Sequence, residues 1–232
     1  DRAAKQTGRC AMSWLFDMDG ELATAHALAK RVLRDEAERS TVMRMLAAGM
    51  NAPWSSGAGR LFDATAAMLG VCDWNRHEAM SGMLLEALAE GVSDNMAARL
   101  ADEAAELLPL VELEGGLLEL DHRPLGRALA DGVEAGRSAA ELARLFHEGL
   151  AEGFVQAVLA ARDRTGIETI GLSGGVFCNV LLTRLVDGRL KTAGCDVLRH
   201  RLVPANDGGI ALGQAAIASA KMNENLNVEA RG

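Results

Sequence analysis

Apolar positions along this chain recur with two different periods, and the change between them divides it into two parts. Over residues 21–48, Leu22, His26, Ala29, Val32, Leu33, Ala37, Val42, Met45 and Leu46 fall at near-helical spacing until Gly49 stops the run. Residues 51–57 hold Pro53 and Gly57 and read as a loop. Residues 59–69 predict a second helix with Gly70 at its C-cap. Residues 78–89 predict a third, with Met80, Met83, Leu84, Ala87 and Leu88 on one face. Asp94 is placed to cap a fourth helix that runs to Leu108 and ends at Pro109. Residues 110–137 are less regular, with a short strand at Leu117–Leu120 before His122-Arg-Pro124. From Ser138 to Arg164 the pattern is strongly helical: Leu142, Phe146, Leu150, Phe154 and Val158 recur every fourth residue. At 1.5 Å per residue that helix is roughly 40 Å long.

After Gly166 the pattern switches. Residues 167–172 (Ile-Glu-Thr-Ile-Gly-Leu) predict a buried strand, Ser173-Gly-Gly175 a tight turn, and residues 176–192 a helix carrying Leu181, Leu182, Leu185 and Leu190. Residues 195–203 predict a second strand, 204–209 a loop, and 210–222 a helix of small residues. The sum is a βαβα unit in an α/β fold. Residues 1–165 are therefore expected to form a mainly helical subdomain, 166–222 the βαβα unit, and 223–232 a polar, frayed tail.

Composition narrows the function classes. Charges sum to 24 − 32 = −8 with an isoelectric point near 5.2, which lacks the basic footprint of a duplex-binding protein. Aromatic residues are 3% and Tyr is absent, which argues against a stacking platform for single strands. No window reaches about 18 consecutive apolar residues and no basic-then-apolar segment opens the chain, so neither a membrane span nor a secretory signal is expected. Cys10, Cys72, Cys178 and Cys195 lack Cys-x-x-Cys spacing and are not clustered with His26, His77, His122, His147 or His200. That excludes a zinc motif and points to reduced thiols in a cytoplasmic protein. The chain opens at Asp1 rather than Met, as a piece of a longer protein would.

Three segments could carry chemistry. In Gly171-Leu-Ser-Gly-Gly175-Val-Phe-Cys-Asn179, Gly174 and Gly175 let backbone approach a ligand, and the following helix points free N–H groups at the same space. Asn179, in the first turn, could reach a sugar or base; a plain tight βα turn is the simpler alternative. The segment also fits Gly-x-Ser-x-Gly, with Ser173 as nucleophile and Asp196 and His200 following in hydrolase order. A hydrolase needs several strands before its serine, however, and Asp196 and His200 lie four apart on one short strand, a poor way to aim both at Ser173. In Asn206-Asp207-Gly-Gly-Ile-Ala-Leu-Gly213, Asp207 follows the second strand of the unit, where open α/β sheets bind ligands. It could hold a divalent metal, reach a nucleotide, or simply cap a helix. Asp63 sits among apolar neighbours in the 59–69 helix and needs a partner, either Arg60 at i−3 or a ribose hydroxyl.

Together, residues 42–70, 171–179 and 203–214 resemble the C-terminal half of the HypF carbamoyltransferases, which make cyanide precursors for [NiFe]-hydrogenase maturation. The same module is similar to TsaD, the tRNA threonylcarbamoyladenosine transferase. The resemblance implies the C-terminal portion of an actin/Hsp70/sugar-kinase-like fold with a large helical insertion. It implies nucleotide contacts from Asp63, Gly174, Gly175 and Asn179, and a divalent metal (Fe, Zn or Mg) at Asp207. It implies transfer of a carbamoyl group from ATP-derived carbamoyl-adenylate to the C-terminal cysteine of a HypE-type acceptor, in concert with upstream modules of the same polypeptide. Three positions depart from the family pattern. The His-rich metal motif is absent from this chain, so Asp207 alone makes only a partial site. The family's Tyr-Glu-Gly is His77-Glu78-Ala79, and a Gln in the Gly-Gly loop is Cys178, a thiol close to a helix N-terminus. Two other readings remain: a catalytically incomplete fragment that binds nucleotide or docks a partner, and a serine hydrolase built on Ser173.

Overall fold

The computed structural model describes residues 2–229. Helices dominate: α1 (Arg2–Lys5), α2 (Thr7–Asp19), α3 (Ala27–Val32), α4 (Glu36–Ala47), α5 (Gly59–Met68), α6 (Met80–Glu90), α7 (Asp94–Ala104), α8 (Arg123–Glu134), α9 (Ala139–Thr165), α10 (Val180–Thr192) and α11 (Ile210–Glu229). The strands are β1 (Leu110–Glu112), β2 (Leu118–Leu120), β3 (Thr169–Leu172) and β4 (Asp196–Arg199).

The single helix predicted over residues 21–48 is three pieces: a 3-10 turn at Gly20–Ala25, then α3, then α4. Leu33 turns extended and is buried, and the Asp35 carboxylate accepts from the Glu38 N–H to start a new helix. Residues 110–137 hold an antiparallel hairpin, β1 with β2, and α8, whose Pro124 sits in the first turn, where a missing N–H costs nothing. The longest helix, α9, is started by a reciprocal capping box between Ser138 and Glu141 and closed by Gly166 in the left-handed conformation.

α9 is the axis of the molecule. Leu142, Leu145, Phe146 and Leu150 are fully covered, with α6, α7, α8 and α10 packed around it. Close approach depends on small residues: a Cβ on Gly153 would lie 2.4 Å from the Leu108 side chain. On the other side, α2 packs along α5. A single apolar core runs from Trp14 and Met68 through Phe146 to Leu172, Leu182 and Val186, so it spans residues assigned above to the helical part and to the βαβα unit.

β3 and β4 pair in parallel, with Leu172 opposite Arg199. β4 stops there, four residues before the predicted end, because β3 offers no partner past Leu172. The strand predicted to be buried is only half so: Leu172 is covered, Thr169 and Gly171 are exposed, and Ile167 just before it is 58% exposed. The helix predicted over 176–192 is a 3-10 turn (Gly175–Cys178) followed by α10, with Asn179 between them as N-cap. α11 passes through the start of the predicted tail to Glu229; residues 230–232 lie outside the described part. No helix among the described residues is long and apolar enough to cross a membrane.

Candidate functional site

The carboxyl ends of β3 and β4 carry two loops that meet. Gly174 has φ +100°, a conformation open to glycine alone in practice, and its N–H donates to the Ala205 carbonyl at 2.8 Å. That bond ties the Gly-Gly turn to the loop containing Asp207. A Cβ built on Gly174 or Gly175 meets nothing within 4 Å, so the space in front of both is open. Asn206 caps the 3-10 turn Asp207–Gly209, with its side-chain oxygen accepting from the Gly208 N–H at 3.1 Å. Asp207 itself is exposed. The rim therefore joins Ser173, Gly174, Gly175 and Asp207, four positions singled out in the sequence.

His200 completes this rim. Its Nε2 lies 3.1 Å from Ser173 Oγ, and both residues are exposed. Of Asp196 and His200, only His200 is aimed at Ser173. The strand ends at Arg199, so His200 lies in the loop beyond it and turns toward Ser173. Asp196 stays at the opposite end of β4, paired in register with Thr169, so no Ser-His-Asp arrangement forms.

Asn179 is spoken for on both sides of its amide. Its Oδ1 accepts from the Leu182 N–H at 2.8 Å, and its Nδ2 lies 3.0 Å from His147 Nε2. Since Nδ2 can only donate, Nε2 accepts, and the His147 proton sits on Nδ1, which donates to the Ala143 carbonyl at 2.7 Å. His147 is fully buried, and burial lowers its pKa to about 4, which suits this neutral tautomer.

The N-terminus of α10, expected to offer free N–H groups to a ligand, is already filled. Glu86 reaches across from α6, and its Oε1 accepts from Val180 N–H at 2.6 Å and Leu181 N–H at 3.0 Å. A phosphate at this rim must therefore be met by the Gly174–Gly175 backbone and not by α10. No local signal in the sequence marks Glu86, because its partners lie 94 and 95 residues away.

Asp63 does not join the rim. It is buried on α5, where Asn75 Nδ2 donates to its Oδ1 at 2.7 Å and Arg60 lies 2.9 Å from Oδ2 as an ion pair without hydrogen-bond alignment. Asn75 in turn accepts from Ser81 and donates to Ala4. Burial pushes the Asp63 carboxyl above its ordinary range, opposed by the Asn75 hydrogen bond and the Arg60 charge. The route from α5 to the rim runs through its neighbour: the Phe62 ring meets His147 edge-on at 5.5 Å, and His147 holds Asn179.

The residues present do not make a metal site by themselves. Among the described residues no three His, Cys, Asp or Glu side chains converge, at Asp207 or elsewhere. All four cysteines are free thiols, with Cys178 exposed on the turn before Asn179.

The family model for "Carbamoyltransferase, Kae1-like Domain, second subdomain" matches residues 1–214. The chain belongs to the HypF carbamoyltransferase family. It is 35% identical over 234 residues to carbamoyltransferase HypF2 of Cupriavidus necator, covering 94% of this chain and 28% of that protein. A HypF homolog of the same organism is 38% identical over 226 residues, with 94% of this chain and 54% of that protein covered. Among solved structures, full-length HypF in its phosphate- and nucleotide-bound form superposes with a TM-score of 0.78 at 27% identity, covering 95% of this chain and 27% of that one. T. kodakarensis HypF gives a TM-score of 0.74 at 24% identity, over 97% of this chain and 28% of that one, and shows the same fold. The chain thus spans between 27% and 54% of the length of these four HypF proteins.

Ala79 has φ +58° at the entrance to α6, in the left-handed region. Only glycine takes that conformation without strain.

Proposed function

We propose that this chain is the part of a HypF-type carbamoyltransferase that presents the nucleotide end of carbamoyl-adenylate to an acceptor thiol. The acceptor is the C-terminal cysteine of a HypE-type protein, and the product serves cyanide-ligand synthesis for [NiFe]-hydrogenase. The observation that carries this reading is the open rim at the carboxyl ends of β3 and β4, found in a chain whose family match covers residues 1–214. A nucleotide-bound relative of the same fold supports a nucleotide as the occupant.

In this reading Gly174 and Gly175 lie against phosphate with their backbone, and Asp207 faces the same group from the neighbouring loop. Asn179 keeps its second amide proton for the nucleotide while capping α10. Asp63 acts at a distance, by fixing α5 and therefore Phe62 against His147. A divalent cation at Asp207 needs donors from outside this chain, and no step is assigned to it. The four free thiols and the acceptor chemistry support the reading of a cytoplasmic protein. The actin-like assignment of the complete domain fits the parallel β3–β4 pair with α10 between its strands.

Asp207 gives the cleanest test, because its exposed side chain can be removed without stranding a buried partner. Asp207→Ala in the intact protein is expected to weaken binding of ATP or a carbamoyl-adenylate analogue and to slow transfer to the acceptor thiol. Calorimetric titration and an acceptor-carbamoylation assay read the two effects. Unchanged affinity together with unchanged transfer would remove Asp207 from the site.

A second reading, a nucleotide-binding or docking fragment without catalysis of its own, draws on the exposed faces of α11 and β4. It predicts nucleotide binding with no transfer by the 232-residue chain alone.

A further inference from the structure

We infer that Ser173 and His200 form a proton relay that deprotonates the acceptor thiol. The inference rests on the carbamoyl-transfer reading above. The two residues are brought together by topology: they follow the paired ends Leu172 and Arg199 of parallel strands, so Ser173 and His200 leave the sheet side by side. Ser173 Oγ and His200 Nε2 are 3.1 Å apart, within hydrogen-bond distance, and the relay uses the tautomer in which Nε2 accepts the hydroxyl proton. The Ala205 carbonyl, on the same loop that Gly174 binds, lies 3.5 Å from Oγ and is the more distant of the two acceptors open to the one hydroxyl proton. Both side chains are exposed at the mouth of the open rim, where a large acceptor can reach them. The other imidazole near this region, His147, is buried and has both nitrogens engaged, so it cannot exchange a proton with substrate.

An alkyl thiol is mostly protonated at neutral pH, and its thiolate is the nucleophile. In the step assigned here the acceptor sulfur gives its proton to Ser173 Oγ while the serine proton passes to His200 Nε2. The sulfur forms a bond to the carbamoyl carbon. The bond from that carbon to the phosphate oxygen breaks, and its electron pair leaves with AMP. The imidazolium then returns its proton to water. Nothing beyond carbamoyl-adenylate and the thiol is consumed, and Ser173 is not acylated.

The test compares two acceptors in the intact protein: a peptide ending in cysteine, and a thiophenol that is already ionised at neutral pH. His200→Ala and Ser173→Ala are each expected to slow transfer to the peptide by about a hundredfold. Transfer to the thiophenol should fall only a few-fold, and the double variant should be no slower than either single one. Imidazole in the buffer should restore part of the His200→Ala rate. Equal losses with both acceptors would mean a structural role and would overturn the relay, as would a carbamoyl group found on Ser173 by mass spectrometry. If the wild-type protein binds no carbamoyl-adenylate, the transfer reading fails and takes the relay with it. If it binds and transfers while both variants match wild type, the relay alone is wrong.

Discussion

His147 is a buried imidazole with both ring nitrogens engaged. Its Nδ1–H is fixed on the Ala143 carbonyl and its Nε2 accepts from Asn179, so a second proton would set one N–H against another. Burial holds its pKa near 4, below the unfolded value of 6.5. A depressed pKa means that the folded state binds this proton less readily than the unfolded chain does. The associated stability is therefore complete above pH 6.5 and is lost as pH falls toward 4, by roughly 3 kcal/mol. Asp63 works with the opposite sign: its raised pKa gives stability at low pH that fades as pH rises through the folded value. Urea unfolding at a series of pH values should show the His147 loss, and His147→Gln, which cannot take up a proton, should flatten it. An identical pH slope in the variant would refute this account.

Between elements, the docking of α10 on α9 depends on a charge taken out of water. Glu148 is 1% exposed, paired with Arg144 at 2.7 Å on its own helix and with Arg189 from α10, which also donates to the Glu148 carbonyl at 3.1 Å. Removing Glu148 takes the shared carboxylate from two part-buried arginines, of which Arg189 keeps Glu152 at 3.4 Å. Glu148→Ala is expected to cost about 3 kcal/mol or more in chemical denaturation, and a loss below about 1 kcal/mol would mean the arginines find water instead. This pairing was invisible in the sequence, and the reason separates what could be read from what could not. α9 was legible because its cap, its period and its terminal Gly166 are local. The β3-turn-α10-β4 order was legible for the same reason, and Gly174 stood out because a turn of that kind demands glycine. The Asp63–Arg60 pair was foreseeable at i−3. Asn75 on Asp63, Glu86 on α10 and His200 on Ser173 are long-range placements set by packing, so no spacing rule finds them. The break at Leu33–Asp35 was missed because apolar spacing continued across it while the backbone did not.

At the scale of the whole molecule, the α9 core is complete while the β3–β4 end is not. Parallel sheets are normally covered on both faces, yet here two strands stand with Ile167 58%, Leu198 55% and Leu202 98% exposed. α11 adds Ile210, Leu212 and Ile217, each more than half exposed, and over residues 211–222 every described position faces solvent. Apolar surface on that scale needs a cover, and the HypF relatives carry further chain beyond the stretch aligned here. A net charge of −8 opposes association but acts over the whole surface, whereas Ile210, Leu212 and Ile217 lie together on one helix. The 232-residue chain on its own is therefore expected to self-associate with rising concentration, read by light scattering. Leu212→Glu with Ile217→Glu should return it toward a monomer without changing its unfolding midpoint, since neither side chain lies in the core. A wild-type chain that stays monomeric at high concentration would show that these faces need no partner. The β3–β4 rim would then stand as a finished surface, able to bind nucleotide without the rest of a HypF protein.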